Sequence, residues 1–432
     1  MSGRPIHCAA LLSVIIGLAW GQNAPMPLTL AQAQNLAIQN HPQLAAARLS
    51  ASAAHQAPVE LHAAQLPQFV GSVSGVGADN GSRLAAGLLN NPTLYSRVGA
   101  GVSLNQLVTD FGRTKSLIQS ADLHAQAQDQ DTESTRTQLL LAVDQAYFDE
   151  LRAEAVLKVA KETVAARQLV SDQITALQKS SLRSTLDVSF SNVNLSDAKL
   201  LLATAQNNID AAQVQLANAL GIPGQVRQGG FTLSPEPTPA ALPNTVEPLI
   251  DEALRDRPEA AALRLEQTSA ERTAKAEHDL NFPTVSVAGV AGAVPTGVSE
   301  VPGRYGAVGI NVNVPIFNGH LFKARQTEAE LRAQAAAQTL RDLENRIRRD
   351  VEVAYLNATT AFQRIGLTAE LLEQARMAAD LAQSRYDIGL GTIVELSQAQ
   401  LNVTSAEIAN SSAVYEYQAE RANLAFQTGA LR

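Results

Sequence analysis

Aromatic side chains and cysteine are scarce in this sequence. Phe, Trp and Tyr make up 4% of its 432 residues, whereas Ala, Gln and Leu are abundant. Such a composition disfavours a thick aromatic core and favours helices that pack closely in thin layers. The single cysteine, Cys8, lies near the N-terminus. The rest of the chain therefore has no thiol that could oxidise wrongly in an oxidising compartment.

The charge and the motifs of the sequence argue against a nucleic-acid-binding protein and against an enzyme. The formal net charge is −8 and no stretch is rich in Lys and Arg, which disfavours binding to nucleic acid. The sequence lacks His-Glu-x-x-His and Gly-x-Ser-x-Gly, and Gly75, Gly77 and Gly81 do not have the dinucleotide-binding spacing. Only His55 and His62 could share one helix face. We therefore expect no enzyme activity, no cofactor and no metal site.

The N-terminal segment has the features of a secretory signal peptide. Arg4 supplies a basic start, residues 8–20 form an apolar run, and Ala19-Trp20-Gly21 fits a cleavage site. A transmembrane helix is the alternative, although the run is short for one. No second apolar run approaches the length of a spanning helix. We predict a signal peptide over residues 1–21 and an exported mature chain.

The remaining sequence repeats itself. The segment NHPQLAAAR at Asn40 matches DRPEAAALR at Asp256, which is 216 residues later. An offset of 208 residues joins four further pairs: Tyr147 and Tyr355, Asp187 and Glu395, Asn194 and Asn402, and Gly221 and Gly429. We predict a first repeat over residues 22–224, a Pro-rich linker over 225–246 and a second repeat over 247–432.

Both repeats have the same predicted order of elements. The first has a capped helix after Thr29, a helix over residues 42–65 and two Gly-rich strands within 69–108. A proline-free helix of about 66 residues then starts at Arg113, and a break near 179–184 precedes a return helix. The second has a helix over 258–281, strands within 282–317, a long helix from about residue 320, a break at 389–391 and a return helix. The fold class is mainly α with a small β part, and long helical hairpins dominate it.

The strands alternate between apolar and small polar residues. Such strands suit a bilayer wall with its polar face toward water. The predicted lipid-facing residues are Val98, Val102, Leu104, Val308, Ile310, Val312 and Val314. Phe69, Tyr95 and Phe111 in the first repeat, and Phe282, Tyr305 and Phe317 in the second, fall at strand ends, where interfacial aromatic girdles lie. Four strands cannot close a barrel alone, so the chain is expected to oligomerise.

Several segments resemble the TolC-like outer membrane efflux family over essentially the whole mature chain. RYDIGLGTIVELSQAQLNVTSAE from Arg385 is similar to the family's second hairpin tip. VTDFGR ending at Arg113 and PIFNGH ending at His320 are similar to its strand-to-helix junctions. The resemblance implies a homotrimer in which four strands per chain build one twelve-stranded outer-membrane β-barrel. Twelve helices would form a coiled-coil barrel, a tunnel through the periplasm.

The resemblance also implies roles for individual residues. Asp187 and Glu395 would lie at the periplasmic entrance, and Tyr386 would help to tie neighbouring hairpins shut. The hairpin tips that would contact an adaptor are Ser181, Leu182 and Arg183 in the first repeat and Gly389, Leu390, Gly391 and Thr392 in the second. This sequence departs from the family's pattern at three positions. Ser181 replaces a glycine, Gly391 stands where some members have an arginine, and Gln398 stands where some have a second acidic residue.

The function that this resemblance implies is passive export. The chain would be the outer-membrane exit duct of a tripartite efflux or type I secretion system. Its partners would be outer-membrane lipid, a periplasmic adaptor and an inner-membrane transporter of the RND, ABC or MFS type. The alternative is a soluble periplasmic coiled-coil adaptor, whose strands would belong to compact soluble domains. The sequence leaves the cargo open among drugs, metal ions and polypeptides.

Overall fold

The computed structural model describes residues 26–79, 95–224, 231–296 and 303–431. The predicted signal peptide and the predicted loop around Asn90-Asn91-Pro92 lie outside these residues. Among the helices in the described ranges, none is both long enough and apolar enough to cross a membrane.

The described residues of the first half form two short strands, five helices and two longer strands. A short strand, β1 (Met26–Leu28), precedes α1 (Leu30–Asn40), α2 (Pro42–Ala54) and α3 (Gln56–Ala63). The strands β2 (Gln68–Val76) and β3 (Arg97–Thr109) lead to the long helix α4 (Arg113–Lys179) and the return helix α5 (Thr185–Ala219). The short strand β4 (Phe231–Leu233) follows α5.

The second half has the same plan. The helices α6 (Glu247–Asp256) and α7 (Pro258–Asp279) precede β5 (Thr284–Thr296) and β6 (Arg304–Asn313). A long helix, α8 (Leu321–Asp387), and a return helix, α9 (Ile393–Gln427), complete it. The long helices have 67 residues each, and the return helices have 35 each. The predicted mainly helical fold with a small β part is confirmed.

Two details differ from the sequence prediction. The helix predicted over residues 42–65 is broken at His55 into α2 and α3. Pro58 explains the break, because a proline lacks the N–H that would bond to the carbonyl of Ala54, and its ring crowds that group. The sequence pattern also did not predict a strand within the Pro-rich linker. Its strand β4 pairs in parallel with β1, so this part of the linker is fastened to the start of the first half.

The four longer strands form one antiparallel sheet in the order β2-β3-β5-β6. Its central pair, β3 and β5, joins the two halves of the chain. On one side of this pair lies β2, and on the other lies β6, so these two are the edges of the sheet.

The long helices are lined by shorter helices along their length. The return helix α5 packs on α4, and α9 packs on both α8 and α4. Farther toward the sheet, α7 packs on both long helices, whereas α1, α2 and α3 pack on α4. On α5, Ala205, Ile209, Ala212 and Leu216 follow one another at steps of three and four residues, and all four are buried.

The largest buried cluster lies midway along α4, where β1 and β4 cross it. Tyr147 is fully buried within it, and its hydroxyl oxygen lies 3.0 Å from the carbonyl oxygen of Leu28 and 2.7 Å from that of Ser234, so its one proton is donated to one of these two acceptors. Its repeat counterpart Tyr355 donates to the carbonyl of Pro243 at 2.7 Å. These tyrosines attach β1 and the segment that follows β4 to the two long helices.

Candidate functional site

Each strand pair is joined to its long helix by the same backbone turn. Phe111 and Gly112 have positive φ angles of 56° and 110°, and Gly319 and His320 have 63° and 68°. Asp110 accepts hydrogen bonds from the backbone N–H of Gly112 at 3.3 Å and of Thr114 at 2.8 Å. These bonds satisfy N–H groups at the start of α4 that have no partner within the helix.

Aromatic rings gather at this helix-proximal end of the sheet. The ring centroids of Phe111 and Phe282 are 6.1 Å apart, and those of Phe317 and His320 are 5.9 Å apart. All three phenylalanines are exposed, as is Phe69 at the start of β2. Exposed aromatic rings at the ends of strands are typical of a membrane–water interface.

The register of the strands divides the sheet into two faces. Leu104 on β3 pairs with Gly289 on β5, and Gly289 pairs with Val308 on β6. Alternate residues of each strand share a face. The apolar face contains Phe69, Val73, Val98, Val102, Leu104, Val285, Val287, Val308, Ile310 and Val312, with Gln106 as a polar member. The polar face contains Ser72, Ser74, Ser103, Asn105, Ser286, Asn311 and Asn313, with Val70 and Val290 as apolar members.

The apolar face is uncovered in the chain. Val308 is 79% exposed and Ile310 is 74% exposed, while Leu104 is half-buried. The other predicted lipid-facing residues, Val98, Val102, Val312 and Val314, are also exposed, and Val314 lies just beyond the end of β6. No helix in the described ranges makes an extensive contact with the sheet. A continuous exposed apolar surface of this kind needs a partner or a lipid phase.

Tyr305 lies on the polar face of the sheet, whereas an aromatic girdle requires the apolar face. Tyr305 alternates with Val308 and Ile310, so it shares the polar face with Asn311. Its ring lies over Gly292 of β5, where an added Cβ would be only 2.5 Å from its Cζ. The predicted girdle position for Tyr305 is therefore wrong. A count of residues along the strand would have revealed its face, but not the glycines beneath it.

The two hairpin tips turn in a similar way but differ in their side chains and in one backbone hydrogen bond. In the first, Ser181 has a positive φ of 60°, and the N–H of Leu182 donates to the carbonyl of Leu177 at 3.0 Å. In the second, Gly389 has a φ of 78°, and the N–H of Leu390 donates to the carbonyl of Arg385 at 2.8 Å. Ser181 therefore adopts a conformation that favours glycine.

The departure at Gly391 has a steric reason. Its N–H donates to the carbonyl of Arg385 at 2.9 Å, which closes the turn. A Cβ added at this position would be 3.1 Å from the backbone nitrogen of Tyr386 and 3.2 Å from Arg385. An arginine here would require the turn to shift by a few tenths of an ångström. The corresponding residue of the first tip, 208 positions earlier, is Arg183.

Arg183 and Tyr386 connect the two hairpins. The guanidinium of Arg183 lies 4.0 Å from the centroid of the Tyr386 ring and donates to the Tyr386 carbonyl at 2.9 Å. Tyr386 is 4% exposed and packs in a cluster with Ile174, Ile393 and Leu396. Burial, with a smaller contribution from the charge of Asp187, raises the pKa of the Tyr386 phenol. Its buried hydroxyl has no hydrogen-bond partner among the described residues.

The two acids at the tips occupy equivalent positions in the return helices. The carboxylate of Asp187 accepts from the N–H of Ser184 at 3.0 Å, and the Ser184 hydroxyl accepts from the N–H of Asp187 at 3.1 Å. Thr392 accepts from the N–H of Glu395 at 3.1 Å, but the Glu395 carboxylate lies 3.6 Å from Arg385. Asp187 therefore helps to cap α5, whereas Glu395 pairs with a cation.

Two buried acids in the middle of α4 were not predicted from the sequence. Burial raises the pKa of Asp144 to about 6, although a hydrogen bond from Gln34 at 2.6 Å partly opposes this. Burial also raises the pKa of Glu150 to about 7, with a further contribution from Glu154. Helical spacing alone gave no signal for these acids, because their burial depends on segments that cross α4 from elsewhere in the chain.

The described residues contain no group of three or more His, Cys, Asp and Glu side chains arranged for a metal. An uncovered apolar face on short strands, joined to long helical hairpins, defines an outer-membrane protein with a helical extension. A family model described as outer membrane efflux protein matches residues 33–222 and 249–430. The chain belongs to the outer membrane efflux protein family.

Individual relatives agree with this assignment. The outer membrane protein TolC of Escherichia coli (strain K12) is 25% identical over a gapped alignment of 446 positions, which covers 98% of this chain and 86% of TolC. The outer membrane efflux protein BepC of Brucella suis biovar 1 (strain 1330) is 22% identical over 325 residues, which cover 73% of this chain and 69% of BepC.

Solved structures show the same fold. The outer-membrane channel OprN matches with a TM-score of 0.80 at 20% identity, over 93% of this chain and 89% of OprN. The Campylobacter jejuni CmeC outer membrane channel matches with a TM-score of 0.78 at 17% identity, over 99% of this chain and 94% of CmeC. The protein is an outer-membrane efflux channel rather than an enzyme, and a soluble adaptor is not favoured.

Proposed function

We propose that three copies of this chain form one continuous duct across the outer membrane and the periplasm. The observation that supports this most strongly is the four-stranded sheet with an uncovered apolar face and two edge strands, β2 and β6. Edges cannot remain unpaired in lipid, where no water satisfies the backbone. In this proposal, residues 1–21 direct export, and residues 22–224 and 247–432 are repeats joined by the linker 225–246.

The internal repeat indicates which edges meet. Under the offsets of 208 and 216 residues, β3 corresponds to β6 and β5 corresponds to β2. The pairing of β3 with β5 inside the chain then has a counterpart between β6 of one copy and β2 of the next. The packing of the helices supports the same arrangement. Helix α7 packs on both long helices, α4 and α8, whereas its repeat counterparts α2 and α3 make extensive contact with only one long helix, α4. Their second neighbour would be α8 of another copy.

This correspondence predicts a register between copies. Leu104 pairs with Gly289 inside the chain, and the offsets convert this pair into Val312 of one copy and Val73 of the next. Both residues lie on the apolar face, as a continuous wall requires. Directly opposed residues of antiparallel strands have Cα atoms about 4.5–5.5 Å apart, which suits a disulfide.

A cysteine cross-linking experiment tests the trimer and its register together. The chain without residues 1–21 lacks cysteine, so Val73→Cys with Val312→Cys introduces the only thiols. We expect mild oxidation in membranes to give dimers and trimers on a denaturing gel, with no larger species.

The matched control moves one thiol along the same strand face. Val308→Cys with Val73→Cys displaces the thiol by four residues, or about 13 Å. We expect little cross-linking from this pair. Equal cross-linking from both pairs, or a native chain that purifies as a monomer without detergent, would contradict the proposed seam.

We propose that the hairpin tips form the periplasmic entrance and the contact with an adaptor. Leu182 and Leu390 are exposed at equivalent points of the two tips, and they offer apolar contacts to a partner. Asp187 and Glu395 would provide negative charge at the entrance, and the contact of Arg183 with Tyr386 would hold adjacent hairpins together. The adaptor would link the duct to an inner-membrane transporter of the RND, ABC or MFS type, in efflux or in type I secretion. Cargo would pass without chemical change.

A further inference from the structure

Gly101, Gly292 and Tyr305 form a row across three neighbouring strands. Gly101 on β3 pairs with Gly292 on β5, which pairs with Tyr305 on β6. All three lie on the polar face, because they alternate with the apolar residues of their strands. The row lies toward the end of the sheet that is far from the helices.

The tyrosine ring occupies the space that the two glycines leave free. A Cβ at Gly292 would be 2.5 Å from the Tyr305 Cζ, and a Cβ at Gly101 would be 3.2 Å from it. A Cβ at either position would overlap the tyrosine hydroxyl. The ring therefore lies flat across β5, with its hydroxyl over β3. Side chains of a sheet ordinarily stand roughly perpendicular to it, so this orientation depends on the absence of side chains beneath the ring.

We propose that Gly101 and Gly292 hold the Tyr305 ring against the wall of the duct, and that this position sets the width of the passage near its outer end. This inference rests on the proposed function, in which the polar face lines the lumen. A flat ring leaves the lumen open. A ring pushed upright would project into it, once per chain, and obstruct bulky solutes first. Tyr305 is then a residue that determines size selectivity during export.

Gly101→Ala is the sharpest variant for a test. The added methyl group would overlap the Tyr305 hydroxyl, whereas its nearest backbone neighbour, the carbonyl oxygen of Ala291, would be 3.0 Å away. A small shift of the strand can relieve the contact with the Ala291 carbonyl oxygen, but the Tyr305 ring has to move. Gly292→Ala is less suitable because its Cβ would also be 2.6 Å from the carbonyl oxygen of Ala100. Gly309→Ala is the matched control, since it adds a methyl group to the same face with no atom within 4 Å.

Single-channel conductance in planar bilayers gives the readout, with large organic ions as a second measure of width. We expect Gly101→Ala to lower conductance and to exclude large ions that the native channel passes. Gly309→Ala should retain native conductance. Tyr305→Ala in the Gly101→Ala background should restore native conductance or exceed it, and Tyr305→Phe, which removes the overlapping hydroxyl, should restore part of it.

Other outcomes separate the inference from the proposed function. Native conductance in an assembled Gly101→Ala channel would overturn the role of the ring. If Gly101→Ala fails to assemble, Tyr305→Ala should rescue assembly, and failure of that rescue would also overturn it. A native protein that forms no channel would instead contradict the proposed function itself.

Discussion

At the scale of single residues, the two hairpin tips are similar turns that carry different side chains. Both tips use a residue with positive φ at the same repeat position, Ser181 or Gly389. The difference lies two positions later, where Arg183 reaches across to the other hairpin and Gly391 has no side chain. The contact of Arg183 with Tyr386 exists only because the repeats have diverged: the counterpart of Tyr386, 208 residues earlier, is Gln178.

The buried hydroxyl of Tyr386 allows a discriminating prediction. Because this oxygen is buried and has no partner in the described part of the chain, Tyr386→Phe should leave the closed state and channel conductance unchanged. Arg183→Ala removes the cation–π contact and the hydrogen bond to the Tyr386 carbonyl. A loss of about 1.4 kcal/mol would raise the open fraction about tenfold if this contact holds the entrance shut.

Planar-bilayer recordings of both variants check this prediction. Arg183→Lys is the matched control, since it keeps the charge but lacks the planar group that stacks on a ring. We expect it to fall between native protein and Arg183→Ala. A larger opening in Tyr386→Phe than in Arg183→Ala would show that the hydroxyl, and not the arginine contact, restrains the hairpins.

At the scale of elements, the two faces of the strands are expected to respond differently to the same charge. Val312 and Asn313 are adjacent on β6 and lie on the apolar and polar faces. We expect Val312→Arg to destabilise the assembled barrel by about 2–4 kcal/mol if the site lies near the bilayer midplane. Asn313→Arg should assemble normally and change ion conduction. The yield of detergent-resistant oligomer and bilayer conductance measure the two effects, and equal losses of oligomer would invalidate the assignment of the faces.

The sequence correctly predicted the elements whose ends depend on neighbouring residues, such as helix caps and helix starts. The capping box at Thr29 and Gln32 is present, and the long helices begin at the predicted junctions. The break at His55 was not predicted because the helical pattern of the sequence continues through Pro58. The position of the Tyr305 ring over Gly101 and Gly292, and the contact of Arg183 with Tyr386, could not be predicted in this way. Each depends on a register between segments far apart in the chain, which short-range periodicity does not encode.

At the scale of the whole molecule, the entrance acids would act as a ring. In a trimer, Asp187 and Glu395 together provide two carboxylates per chain, and like charges that converge at a narrow opening raise the local concentration of cations. The structure also gives Asp187 a capping role, so alanine would remove a helix cap together with a charge. Asp187→Asn with Glu395→Gln is the better variant, because the amide oxygens can still accept hydrogen bonds.

We expect this double variant to lose most of its cation preference and to weaken block by multivalent cations by about tenfold or more, with unchanged oligomer yield. Asp197→Asn with Glu373→Gln removes the same charge from exposed positions farther along the hairpins, so it serves as the matched control. Ion selectivity and cation block in planar bilayers are the measurements. If the two double variants show the same ion selectivity and the same cation block, charge near the entrance affects conduction no more than charge elsewhere on the hairpins. Asp187 and Glu395 would then act only as a helix cap and a surface ion pair.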